Sequence, residues 1–350
     1  MKKLAVALLL LLIACRQTAT TPTPAPPVAY NFKAVDQLVT DNIGLYNNSV
    51  AVLVSQSGQV IYKKNVVFDE NTSRNIASAL KWLSGAVIMA LVDEQKLALT
   101  DTLGRFLPIF TKYKKGNITI RQLFSHTSGF PGDSPQGYEN SRTLSLAQAV
   151  DSLAVYTKLI NAPGTTFYYG GVGMQIAGRV AEVVSGKAWQ TLFNEKIGTP
   201  CELQATYNPG NPGNPLIGGG VVTSARSYLN FLEMLTNSGL YNGKRVLSEA
   251  AVKTLITDQT NNATIQYTPY PANLYSPYKT APVRYGIGNW LDVVDGSGAV
   301  VESSSPGAFG THPWINYKTK TAGIIFTFAD FKTTQPASLQ IREAIRSIVK

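Results

Sequence analysis

The segment "NIASALKWLSGAVIMALVDEQK", residues 75–96, constrains this chain more than any other. Between Ser78 and Val92 it is apolar except for two serines and one lysine, Lys81. A helix that is apolar all round belongs in a protein interior. An ammonium carried into that interior is unstable there unless the amine gives up its charge.

Ser78 and Lys81 are three residues apart, so on a helix they share a face and Oγ can meet Nζ. A neutral amine beside a hydroxyl is a general base beside a nucleophile. The first turn of a helix also offers free backbone N–H groups to a developing oxyanion. The competing structural reading is a lysine whose stem lies along the core while its head reaches water. Alone, the S-x-x-K spacing does not decide between them.

The N-terminal run "MKKLAVALLLLLIA", residues 1–14, has a basic start and an apolar stretch before Cys15, the pattern of a secretory signal. No other stretch reaches the about 18 uncharged residues that a spanning helix needs. "LIAC" resembles the lipobox of bacterial lipoproteins, which implies acylation of Cys15, with ordinary cleavage nearby as the alternative. Residues 15–30, "CRQTATTPTPAPPVAY", read as an unpacked Thr/Pro tether. The expected organisation is therefore a signal peptide at 1–14, a lipidated tether at 15–30 and one hydrolase-sized domain at 31–350. Its expected place is the bacterial cell envelope, as a membrane-anchored lipoprotein facing the periplasm.

With Cys15 lipidated, Cys201 has no partner for a disulfide. The only histidines are His126 and His312, so a Cys/His metal site is excluded and no metal or cofactor is expected. The formal charge is +10, or +8 without Lys2 and Lys3, and it is scattered with no Lys/Arg run. That argues against nucleic acid and leaves at most an attraction to anionic envelope surfaces. The expected partners are a small-molecule substrate and, through the lipid, a membrane; the domain is expected to be a monomer.

"NFKAVDQLVTDNI" has helical spacing, and "SVAVLVSQSGQVIYKK" reads as a hairpin around Ser57-Gly58. Helical patterns dominate from about 144 to 195 and again in "SARSYLNFLEMLTNSGLYNGKRV". Strands follow in "RYGIGNWLDVV", "GTHPWINY" and "TAGIIFTFADF", before a closing helix "ASLQIREAIRSIVK". The stretch 261–283, rich in Tyr and Pro, reads as a long loop. Its Tyr267, Tyr270 and Tyr275 would border the substrate cleft. The expected fold is α/β in the α+β sense: an antiparallel sheet built from both chain ends, flanked by helices, with an inserted, mainly helical subdomain.

The ordered motifs "SALK", "SHTSGF", "PGTTFYYGGVGMQIAGRVAEVVSGKAW", "GGGVVTSARSYLNFLEML", "YGIGNWL" and "SPGAFGTHPWIN" together resemble the serine β-lactamase/D,D-peptidase family, in the branch of class C β-lactamases and related esterases. The resemblance spans about 45–330 and implies a β-lactamase/transpeptidase-like fold. It makes Ser78 the nucleophile, Lys81 its base partner and Tyr169 the residue that shuttles the proton, with Tyr168 as a one-residue alternative. The oxyanion hole would be the backbone N–H groups of Ser78 and Ala308, and Gly307 would leave room for substrate along the closing strand. His126, in "SHTSG", falls on a structural signature and is expected to be a satisfied buried imidazole. A Ser-His-Asp triad finds no G-x-S-x-G motif here.

Two substrate-binding positions depart from the family pattern. Gly171 stands where Tyr-x-Asn has its asparagine, and Ser305 stands where Lys-Thr-Gly has its cation. Losing a charge-assisted hydrogen bond of about 1.5–3 kcal/mol weakens anionic substrates by one or two orders of magnitude. The resemblance thus implies an esterase-like serine hydrolase for small neutral acyl substrates. The alternatives are a β-lactamase or D,D-carboxypeptidase and a non-catalytic cell-wall-binding lipoprotein. Both departures should be reversible by Gly171→Asn and Ser305→Lys, with Pro306 the weak point.

Overall fold

In the computed structural model, which describes residues 29–208, 210–269 and 282–350, the β-branched run Val50–Gln56 forms strand β1. Ser57 and Gly58 both take positive φ and turn the chain into β2, Gln59–Val66. On its other side β1 pairs antiparallel with Thr321–Thr327, Val50 opposite Thr327 and Gln56 opposite Thr321. The six-stranded sheet then runs, from the far edge, Trp290–Val294, Val300–Ser304, His312–Asn316, Thr321–Thr327, β1, β2. Every pairing in it is antiparallel. The sheet is assembled from both chain ends, as expected. Val300–Ser304 gave no strand signal of its own, because an acidic residue and two serines break its apolar alternation.

Alternation along the strands sorts side chains to the two faces. Ala51 and Leu53, opposite Phe326 and Ile324, join the main core. The other face is covered by the closing helix Phe331–Ile348, capped by Asp330, whose side chain accepts the Thr333 N–H. From this helix Arg342 reaches Asp292 and Glu302, both at 2.7 Å, and Arg346 reaches Glu302 at 2.7 Å. The first helix, α1 (Lys33–Asp41), packs against the closing one.

Between the two groups of strands lies the helical part. The opening segment forms α2, Lys81–Asp93, buried without a break from Lys81 to Leu91. Helices Ile120–Phe124 and Leu146–Tyr156 each start with a capping box, Thr119 with Gln122 and Ser145 with Gln148. Val172–Ser185 and Ala225–Thr236 complete the set that matters for the site. The helical stretch 144–195 is interrupted by a short strand, Thr166–Tyr168. The expected helix past Thr236 also stops short, because Asn242-Gly243 closes a hairpin of Leu240–Tyr241 and Lys244–Arg245.

The Tyr/Pro-rich stretch is not loop throughout. Thr264–Tyr267 is a strand, paired in parallel with Thr166–Tyr168. Tyr270 and Tyr275 lie outside the described residues, as does Cys15. Among the described residues no helix is long and apolar enough to cross a membrane.

Candidate active site

The chain enters α2 through a strained turn. Ala77 has φ +46°, a left-handed conformation that a residue with a Cβ rarely holds without support. The support is local: the Ala77 N–H donates to Asn75 Oδ1 at 2.8 Å. Residues Ala77–Leu80 then make a 3₁₀ turn that passes into α2 at Lys81. Ser78 is left half-buried at the mouth of the helix, while Lys81 is only 3 % exposed.

Lys81 Nζ lies 3.0 Å from Ser78 Oγ and donates to the Gly218 carbonyl. Burial pulls the ammonium pKa down to about 7, against the opposing pull of Asp133. Near neutral pH, therefore, an appreciable fraction of the amine is free to accept the Ser78 proton. Cys201, by contrast, is buried and its thiol is pushed up to about 12, so it is inert.

Tyr169 follows the Thr166–Tyr168 strand, and its N–H donates to the Tyr267 carbonyl at 3.1 Å. Lys81 Nζ lies 4.8 Å from the centre of its ring. The other face of the site is fixed by Trp290, stacked on Tyr169 at 5.2 Å and 23°. Tyr168 instead stacks on the half-exposed Tyr267, at 5.0 Å and 28°. The strand around Tyr267 thus lies beside the second-motif strand.

His126 is buried against Tyr169, Phe167 and Tyr285. Its Nδ1 accepts the Gly170 N–H at 3.4 Å, but Nε2 has no hydrogen-bond partner among the described residues. The imidazole is therefore half satisfied rather than fully so. Burial, with Lys81 nearby, holds its pKa well below the usual histidine value, so it stays neutral. His312 lies buried in its strand beside Trp314.

The third-motif segment lies against the Ser78 turn, with two differences from expectation. Ala308 sits not on the strand but in the turn that follows Val300–Ser304. Its carbonyl accepts the Phe331 N–H at 3.0 Å. Its N–H donates to no other described residue, and the Ser78 N–H, in the first turn of a helix, has no intrahelical acceptor. Gly307 does not make room for substrate: a Cβ there would lie 2.0 Å from the Ile76 carbonyl oxygen and 3.1 Å from the Ala79 nitrogen. The glycine lets this turn press against the Ser78 turn. Ser305 is 2 % exposed, and its hydroxyl spans the carbonyls of Ser78 and Gly288, both at 3.4 Å.

Sequence reasoning missed the group around Gly171. Gly218, from the "GGG" run, supplies the carbonyl on Lys81, and a Cβ on it would lie 3.1 Å from Gly171 Cα and 3.6 Å from Lys81 Nζ. Asp133 Oδ1 accepts the Gly171 N–H at 3.1 Å. The available signal was the "PGD" turn that follows "SHTSGF". Among the described residues no three His, Cys, Asp or Glu side chains are placed to hold a metal ion.

The sequence profile of the Beta-lactamase family matches residues 35–344. A candidate β-lactamase from Bacteroides dorei DSM 17855 superposes with a TM-score of 0.81 at 30% identity, covering 91% of this chain and 99% of that one. EstCE1, a hydrolase with promiscuous acyltransferase activity, superposes at 0.71 with 20% identity over 89% of this chain and 97% of its own, a likeness of fold. The teichoic acid D-alanine hydrolase of Staphylococcus aureus is 27% identical over 182 residues, 50% of this chain and 44% of its own. The chain thus matches less than half the length of that relative.

Proposed function

The chain belongs to the β-lactamase family, a family of serine hydrolases, and from that premise we propose that it hydrolyses esters through an acyl-enzyme on Ser78. The observation that carries this reading is the buried Lys81 amine, with a pKa brought to about 7, at 3.0 Å from a half-buried serine hydroxyl. In the proposed sequence the amine takes the Ser78 proton as Oγ attacks the acyl carbon. The N–H groups of Ser78 and Ala308 hold the oxyanion. Its collapse expels an alkoxide, which takes a proton by way of the Tyr169 phenol. Water then attacks the acyl-enzyme and the same groups act in reverse.

Ester rather than β-lactam follows from the two departures. No cation stands at 305 and no amide at 171, so a substrate carboxylate loses its reader while an ester loses little. The relative named for acting on D-alanine of teichoic acid supports a substrate other than a β-lactam. Turnover of nitrophenyl butyrate, nitrocefin and a D-Ala-D-Ala peptide should rank in favour of the ester. A better rate on nitrocefin overturns the substrate reading. Fluorophosphonate should label the wild type and not Ser78→Ala; an unlabelled wild type would make the chain a binder. Because hydroxyl and base act as a unit, the Ser78→Ala/Lys81→Ala pair should be scarcely worse than either single change.

We propose further that acylated Cys15 holds the domain at the bacterial envelope. Cys15→Ala should move the protein out of the membrane fraction, and unchanged membrane retention would refute the anchor.

A further inference from the structure

The site that lacks a cation at 305 also carries a carboxylate, that of Asp133, beside Gly171. Asp133 is exposed, and its backbone is pinned. The Gly132 carbonyl accepts the N–H groups of both Gly171 and Val172, at 2.8 and 3.0 Å. A Cβ on Gly132 would meet the Tyr169 carbonyl oxygen at 2.1 Å, so the two backbones are in direct contact. The carboxylate leans over the position where the amide is missing: a Cβ built on Gly171 would find Asp133 Oδ1 as its nearest neighbour, at 3.4 Å. Oδ2 has no hydrogen-bond partner among the described residues. Behind it stands buried Glu139, whose two oxygens are engaged by the Ser134 N–H and hydroxyl.

We propose that Asp133 is a specificity residue that receives a cationic group, an ammonium or alkylammonium, on an ester substrate bound at Ser78. This rests on the ester-hydrolase reading above and deepens it. Removing the third-motif cation strips the cleft of its affinity for carboxylates. Placing a fixed carboxylate beside Gly171 gives it an affinity for the opposite charge. The smallest residue at 171 keeps that carboxylate within reach of a bound substrate. A neighbouring Lys81 that is partly neutral near pH 7 competes with an incoming cation less than a full ammonium would. The electrostatic support that Asp133 lends Lys81 means that changing it will alter all rates, so the discriminating quantity is a ratio.

The cation can sit on the acyl or the alcohol side, and paired esters separate the two. β-Alanine ethyl ester against ethyl butyrate places the charge on the acyl group; acetylcholine against 3,3-dimethylbutyl acetate places it on the alcohol. With the full chain at pH 7.5, one cationic member should exceed its isostere in kcat/KM by about ten- to hundredfold. Asp133→Asn should collapse that ratio toward one, whatever it does to the absolute rates. Added salt should lower the ratio too, because the carboxylate is exposed. If Asp133 merely caps the Val172–Ser185 helix, Asp133→Asn moves both members together and the ratio survives, which overturns the proposal. So does a wild type that prefers neither cation while cleaving ethyl butyrate. If all four esters are inert and fluorophosphonate leaves Ser78 unlabelled, the ester-hydrolase reading fails and this one with it.

Discussion

At the scale of single residues, Lys81 sets the pH behaviour. If its free amine is the base, kcat/KM for an uncharged ester should rise with pH through about 7. A profile that is flat from pH 6 to 8 would remove Lys81 from that role. The same depressed pKa has a consequence for stability. Between about 7 and the ordinary 10.5 the unfolded chain binds the Lys81 proton and the folded one does not. Stability should therefore climb with pH across that window, and the full penalty of burying the amine is felt below it. Lys81→Met should abolish turnover yet raise the unfolding free energy at pH 6, by an amount on the order of 1–3 kcal/mol once the orphaned Gly218 carbonyl is allowed for. The gain should fade toward pH 10. The two family departures also differ in kind. Gly171 has φ −103° and no atom closer than 3.4 Å to a built Cβ, so Gly171→Asn is accommodated and should improve amide-bearing substrates by up to about tenfold. Ser305→Lys would drive an ammonium into a buried site between two carbonyls, so it should destabilise the fold rather than restore a reader.

Elements position what residues alone cannot. Ser78 is presented by a turn that is squeezed between its own strained Ala77 and the 305–308 segment. Gly307→Ala puts a methyl into the Ile76 carbonyl, so the two turns must separate. If the Ala308 N–H is the proposed oxyanion donor, the expected signature is a kcat loss of at least about tenfold with little change in KM, since such a donor acts in the transition state. This contact shows why the site was only partly legible in sequence. The grouping of Ser78, Lys81 and Tyr169 could be anticipated because each sits at a fixed count within one motif. Asp133 and Gly218 could not, because they meet Gly171 and Lys81 across 38 and 137 residues of chain. The meaning of Gly307 was misread for the same reason: its neighbour is the Ile76 carbonyl, far earlier in the chain. Strands with strong β-branched alternation, such as β1 and Thr321–Thr327, were plain, whereas Val300–Ser304 depends on its neighbours for its identity.

Across the whole molecule, the closing helix is held to the sheet by charge as well as by apolar packing. Burial raises the Asp292 carboxyl to about 6 despite Arg342. At Glu302 burial is outweighed by Arg342 and Arg346, which bring it down to about 2. For Glu302 the linkage sign is the ordinary one: its contribution is present above about 4.5 and is lost as pH falls toward 2. Glu302→Gln leaves the buried Arg342 and the partly exposed Arg346 underpaired and should lower stability by roughly 3–5 kcal/mol, measured by urea unfolding at pH 7. A loss below about 1 kcal/mol would mean the network is dispensable. The pairing of β1 with Thr321–Thr327 also dictates an order of events in synthesis. Until residues 321–327 have been made, β1 and β2 are a two-stranded ribbon, which water alone scarcely sustains. A nascent chain must therefore wait, with its first hairpin open to proteases and chaperones, and any premature stop before residue 321 leaves the whole sheet without its keystone.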